Sequence, residues 1–180
     1  MHSSSLRLKE LTIFAMLGSV MFVSQIAMQW IPNVHFLGLF VASFTLTYRA
    51  RALIPIYVYV FLFGVFNGFS FWWVPYLYIW LPLWGMFMFV GKFDFPTKVK
   101  VPLYMLLCAL HGLMFGLLYA PFQAVFFGLN FQGMVAWIIA GIPLDIVHGA
   151  GNFAAGSLII PLSGLLCKLK QRQTLAESLR

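Results

Sequence analysis

The sequence predicts an all-α integral membrane protein with six transmembrane helices and both termini on the cytoplasmic side. Three observations carry that expectation. Of 180 residues, 62% are hydrophobic and 8% charged, with a mean hydropathy of +0.94, whereas an ordinary soluble domain is about 45–50% apolar and about 25% charged. The scarce charge is nevertheless lopsided, at +7 net. Finally, the basic residues cluster between apolar runs: Arg7 and Lys9; Arg49 and Arg51; Lys92, Lys98 and Lys100; Lys168, Lys170, Arg172 and Arg180. Placing every cluster in the cytoplasm leaves no Lys or Arg outside, which satisfies the positive-inside rule and demands an even number of crossings. The same composition excludes a water-soluble globule, a disordered chain and a nucleic-acid binder.

The elements follow in order as one membrane domain, at about 20 residues per crossing. The first span covers 8–30 and ends at the uncharged break Trp30-Ile31-Pro32-Asn33. The second covers 34–48 and the third 52–69, closing at Asn67-Gly68-Phe69-Ser70. The fourth covers 72–91 and the fifth 101–119. Residues 121–141, interrupted by Pro121, Gly128, Asn130, Gln132 and Gly133, read as an outer connection with a short helix at 134–140. Pro143 then opens the sixth span, 143–168, because proline suits a first helical turn where its missing N–H costs nothing. No cleavable signal is expected, since the apolar run from Leu11 continues to Trp30 without a small-x-small site. Cys108 and Cys167 fall on inner half-spans and read as packing residues without a disulfide, given a reducing cytoplasm. The Ser3-Ser4-Ser5 start reads as a loose end.

Catalytic chemistry is sparse. The only acids are Glu10, Asp94, Asp145 and Glu177, and a two-carboxylate hydrolase would need a second acid inside the membrane. There is no paired-Cys or His-Glu-x-x-His metal motif. Gly85…Gly91-Lys92 is one residue too long for a phosphate loop, and Phe93 stands where Ser or Thr is required. The expectation is therefore no enzyme, no catalytic residue, no cofactor, no metal site and no ATP hydrolysis by this chain alone.

Polarity gathers in two places. At about 100° per residue, Asp145, His148, Gly149, Asn152 and Gly156 share one helical face, which must avoid lipid and meet protein or a polar cavity. Two readings compete there: Asp145 as a helix cap with glycines for close packing, or a ligand-facing stripe. On the outer side, Trp72, Trp73, Tyr76, Tyr78 and Trp80 crowd into nine residues, with Trp137 at the same predicted level. An interfacial aromatic belt explains most of these rings. It does not explain the interleaved Asn33, His35, Asn67, Asn130 and Gln132, which suit the wall of an outward-facing pocket for a flat, partly polar organic molecule. The small-residue stripe Ala15, Gly18 and Ser19 suits a helix contact, either within the bundle or with a partner.

Taken together, the basic start running into Leu11–Ser19, the stretch Ile142-Pro143-Leu144-Asp145-Ile146-Val147-His148, and Pro161-Leu162 before a basic tail give a chain that resembles the substrate-binding S component of an energy-coupling factor (ECF) vitamin transporter. The resemblance covers nearly the whole chain. It implies a multi-pass protein of the bacterial cell membrane that captures a vitamin at its extracellular face and topples to deliver it. An ECF transmembrane coupling subunit and two ATPase subunits would supply the work. The family's first helix carries Ala-x-x-x-Ala for partner docking; here the pattern is Ala15-x-x-x-Ser19. The Pro32–His35 and Trp72–Trp80 segments resemble the cobalamin-specific type, which makes cobalamin the first-choice substrate, with thiamin, folate, a flavin or a pyridoxine-like compound as alternatives. A stand-alone proton-coupled carrier using Asp145 and His148 is the competing function.

Overall fold

The structure, a computed structural model, describes residues 8–178. Arg7, Arg180 and the Ser3-Ser4-Ser5 start lie outside the described residues, as does the side chain of Glu177. Among the described residues every regular element is helical: α1 (Leu8–Met28), α2 (Leu37–Tyr48), α3 (Leu53–Asn67), α4 (Trp80–Val90), α5 (Thr97–Leu113), α6 (Phe115–Phe127), α7 (Phe131–Gly156) and α8 (Ile159–Ser178), with 3-10 turns at Arg49–Ala52 and Phe71–Leu77. Five stretches are long and apolar enough to cross a membrane: Leu8–Met28, Leu37–Asn67, Phe71–Val90, Thr97–Phe127 and Phe131–Gly156.

The stretch Leu37–Asn67 is not one rod. His35 and Tyr59 both lie against Trp80, with ring centroids 6.4 and 6.1 Å away, whereas 24 residues of straight helix would separate them by about 36 Å. The chain therefore folds back at the 3-10 turn, entered through Arg49 at φ 56. The Arg49 guanidinium holds the turn by donating to the Met88 carbonyl at 2.6 Å. Each leg is shorter than the expected span: 12 residues of α2 and 15 of α3 rise about 18 and 22 Å, against about 30 Å of hydrocarbon.

Contacts fix the direction of the legs. α1 and α3 run parallel, since Arg51 meets Glu10 at 2.8 Å near their starts and Phe22 meets Phe66 near their ends. Gly18 is what lets them approach, because a Cβ there would fall 2.5 Å from Val58 Cγ1. The fourth leg descends beside α3, but as two pieces rather than the single span 72–91: the 3-10 segment containing Pro75, then α4. Trp73 Nε1 donates to the Val60 carbonyl at 2.8 Å, and the Tyr57 hydroxyl donates to the Leu77 carbonyl at 2.6 Å. The basic groups meet at one end. Arg49 reaches the end of α4, Arg51 reaches the start of α1, and Lys170 donates to the Thr47 carbonyl at 3.1 Å.

The region 121–141 departs most from expectation. In place of a loose connection with a short helix at 134–140, it is the far end of a helical hairpin. α6 runs through Pro121 and stops at Gly128, whose φ of 64 is the left-handed cap geometry that suits glycine. Asn130 then caps α7, its Oδ1 accepting from the Gly133 N–H at 2.8 Å. α7 continues straight through Pro143 to Gly156, so Pro143 does not open a helix. Proline in an interior turn forfeits one backbone hydrogen bond, and here it does so on an exposed face of α7. The break of the last leg falls later, at Ser157-Leu158, where Pro161 occupies the first turn of α8. The sixth span expected over 143–168 is thus the lower part of α7 joined to the upper part of α8.

Candidate functional site

α5, α6 and α7 bring most of the polar side chains together, and glycines set how closely they do so. α7 lies antiparallel along α5 so tightly that a Cβ on Gly156 would sit 2.7 Å from Met105 Cα, one on Gly149 2.7 Å from Leu113 Cγ, and one on Gly112 2.9 Å from Gly149 Cα. Backbone contact of this kind is how helices adhere where solvent provides no hydrophobic drive. The predicted stripe does face inward: His148, Gly149, Asn152 and Gly156 are buried. Asn152 is wedged between two glycines, as added Cβ atoms on Gly38 and Gly112 would come within 3.1 and 2.9 Å of its amide.

Beside Asn152 lies a cluster of rings drawn from five legs of the chain. His35 precedes α2 and meets His148 edge-on at 4.4 Å between centroids. Phe115 packs on the other side of His148 at 4.7 Å. Trp80 touches His35, Tyr59, Tyr76, His111 and Phe115 at 5.8–6.4 Å. His35, His111, His148, Asn152, Trp80 and Tyr59 are all buried.

These buried groups are polar and mostly unpaired. His35 Nδ1, Tyr59 Oη, Trp80 Nε1, His111 Nδ1, His148 Nε2 and both amide atoms of Asn152 have no hydrogen-bond partner within the protein. Buried polar atoms are overwhelmingly paired in folded proteins, and each one left unpaired costs about 1–3 kcal/mol. Concentration of so many in one cluster singles it out as the candidate site. His111 adds a directional clue. Its Nε2 lies 2.8 Å from the Ile79 carbonyl, which only accepts, so that nitrogen carries the proton and the unpaired Nδ1 of the neutral ring is an acceptor.

Asp145 borders the rings without joining their contacts. Both carboxylate oxygens accept from the Gly116 N–H, at 3.1 and 3.2 Å. Gly116 occupies the first turn of α6, just after the interruption at Met114, where backbone N–H groups lack helical partners. Asp145 therefore caps a neighbouring helix rather than its own. A Cβ on Gly116 would fall 2.5 Å from Asp145 Oδ2, which explains the glycine.

The remaining sequence-predicted residues divide. Tyr76 belongs to the cluster through Trp80, while Trp72 packs on Phe63 and Tyr76 at its margin. Trp73 is a structural tie to α3, Tyr78 donates to the Leu118 carbonyl at 3.0 Å, and Tyr119 donates to the Trp72 carbonyl. Trp137 stacks on Tyr119, half-buried. Asn33 forms the turn before α2 with φ 59. Asn67 bonds back to the Phe63 carbonyl of its own helix, Asn130 is the α7 cap, and Gln132 is exposed. These last four do not converge on the rings. In the stripe on α1, Ala15 and Ser19 are exposed, the Ser19 hydroxyl donating to the Ala15 carbonyl at 2.9 Å, but Gly18 is buried against α3. Any partner surface there excludes Gly18.

Sequence reasoning missed Tyr59 and Phe115 and left His111 and Trp80 outside the site. An ionisable side chain in an apolar helix was the available signal for His111; Tyr59 and Phe115 carried none. Cys108 and Cys167 are both free thiols. Among the described residues, no group of three or more His, Cys, Asp or Glu side chains is arranged to hold a metal ion. No known family model matches this chain, and no curated protein or solved structure matches it.

Proposed function

We propose that this chain is a membrane-embedded receptor subunit for a small heteroaromatic nutrient of the vitamin kind, built on the plan of an ECF S component. The observation that carries the reading is the buried cluster of unpaired polar atoms on His35, Tyr59, Trp80, His111, His148 and Asn152. Aromatic walls with a few convergent hydrogen-bonding groups are the usual lining for such a ligand. The cluster lies near the start of α2, while the basic groups gather at its other end. With the basic end in the cytoplasm, six legs cross the bilayer, both termini lie inside, and the site falls toward the outer half.

The rings meet edge-on at 4.4–6.4 Å between centroids, so a ligand enters only as they part. The opening needed grows with the ring system, so this reading ranks the smaller candidates ahead of the first-choice cobalamin. The exposed Ala15 and Ser19 face is the docking surface proposed for a transmembrane coupling subunit, with two ATPases driving release. The reading assigns no catalysis and no cofactor to this chain.

The test is to purify the full chain from cells grown in rich medium and identify any bound small molecule by mass spectrometry. Uptake is then assayed in vesicles with and without an ECF module. A bound heteroaromatic, with uptake only when the module is present, is the expected result. Uphill uptake by the chain alone, driven by a pH gradient, would overturn the proposal in favour of a proton-coupled carrier.

A further inference from the structure

The site's chemistry narrows its ligand. Trp80 Nε1 and the Asn152 amide nitrogen can only donate, whereas His111 Nδ1 and Asn152 Oδ1 only accept; Tyr59, His35 and His148 can do either. A molecule that satisfies them offers both donors and acceptors around a flat ring. What the cluster lacks, among the described residues, is a cation. Arg49 is engaged with the Met88 carbonyl, Arg51 with Glu10, Lys100 with Asp94 and Lys170 with the Thr47 carbonyl, all at the basic end. Among the described residues, the formal charge nearest the cluster is negative: Asp145, a single turn before His148 and bonded to the residue after Phe115. A carboxylate or phosphate brought here would be buried without a counter-charge and beside a like charge, which is strongly unfavourable. A neutral ring meets no such penalty, and a cationic ring gains from the aromatic faces of Trp80, Tyr59 and Phe115.

We infer that the site takes a heteroaromatic ligand lacking any anionic group and rejects its phosphorylated or carboxylated relatives. The inference rests on the receptor reading above and sharpens it, since folate and vitamin phosphates fall outside the class.

The experiment titrates the purified full chain in nanodiscs with matched probe pairs, read by isothermal calorimetry: thiamin and thiamin monophosphate, riboflavin and its 5′-phosphate, pyridoxine and its 5′-phosphate, nicotinamide and nicotinate. In any pair that binds, the member without the anionic group should bind tighter than its partner by about 100-fold or more, as expected for an uncompensated buried anion. Comparable or tighter binding of the anionic member overturns the inference while leaving the receptor reading intact. So does mass-spectrometric identification of a carboxylate or phosphate ester on the chain as purified from cells. If no probe binds and no small molecule accompanies the purified chain, the receptor reading itself fails, and this inference with it.

Discussion

The sharpest consequence of the unpaired cluster is an inversion of sign. Tyr59 is fully buried, stacks on Phe63 at 5.7 Å between centroids and meets Trp80 at 6.1 Å, yet its hydroxyl has no partner within the protein. Tyr59→Phe keeps both ring contacts and deletes only the oxygen. An ordinary buried tyrosine loses a hydrogen bond in this exchange and the protein is destabilised. Here the unfavourable burial of an unpaired hydroxyl is relieved, so the ligand-free protein should gain about 1 kcal/mol, the lower end of the usual range. For a chain of this size that is roughly 2–4 °C in Tm. Ligand affinity should move the opposite way, weakening about 5–10-fold, equivalent to about 1–1.4 kcal/mol for one hydrogen bond. Thermal unfolding of the ligand-free protein in nanodiscs and calorimetric titration measure the two halves separately. A variant that melts lower than the parent and binds as well as the parent would show that the hydroxyl serves the fold, and the case for a site built on unpaired groups would fail.

Other perturbations isolate other contacts. Gly116→Ala drives a methyl into Asp145 Oδ2 and should cost about 1–3 kcal/mol by overpacking; the double variant Gly116→Ala, Asp145→Ala should recover part of that loss in a thermal melt, and strict additivity would refute the capping contact. Gly18→Leu is expected to disrupt the α1–α3 contact and reduce folded yield, whereas Ser19→Leu, on the exposed face, should leave melting and ligand binding unchanged and abolish only partner-dependent uptake. Trp73→Phe removes the donor to the Val60 carbonyl and should destabilise by about 1 kcal/mol without changing ligand affinity; an affinity loss would return Trp73 to the site. At the basic end, the hydrogen bond from Lys100 holds the Asp94 carboxyl below its ordinary value of 3.8. The ordering this pair lends to the start of α5 is complete above that value and lost as pH falls through the depressed one. Hydrogen exchange at residues 97–100 should accelerate in acid, and a flat profile would remove the pair's role.

Much of the fold was legible because apolar runs of spanning length, punctuated by charge, dictate long helices joined at charged turns. The basic clusters assigned to one side are joined at one end by Arg49, Arg51 and Lys170, and the Asp145–Gly156 face turned inward as its spacing required. The misreadings share a cause: a local signal compatible with two structures. Pro143 fits a first turn or an interior turn with a free outer face, and only the cap at Asn130 decides for the latter. Gly128 and Asn130 interrupt the apolar pattern, yet together they spell a C-cap followed by an N-cap. The Trp72–Trp80 run reads as one depth, but the 3-10 segment Phe71–Leu77 advances about 2 Å per residue and sets Trp80 well below Trp72. Tyr59 had no pattern to betray it, since α3 is apolar on every face and its inward side is chosen by partners alone.

Where the unpaired groups sit also explains why the protein can tolerate them. Seven buried polar atoms without partners would work against the fold, so neighbouring structure must prevent the side chains from turning away to find easier bonds. The glycine register does this for Asn152. Gly38 on one side and Gly112 on the other leave just enough room for its amide, and the close backbone approach of α5 and α7 leaves no groove into which it could swing. His111 is pinned by the Ile79 carbonyl, which forces its bare nitrogen to remain an acceptor, and His148 is held between His35 and Phe115. Asp145 extends the same constraint to α6, fixing the first turn of the helix that carries Phe115. The dry glycine seam and the polar cluster are thus one device. Backbone contacts that need no side-chain polarity hold the helices rigid, and that rigidity is what the proposed receptor role requires of the unpaired groups.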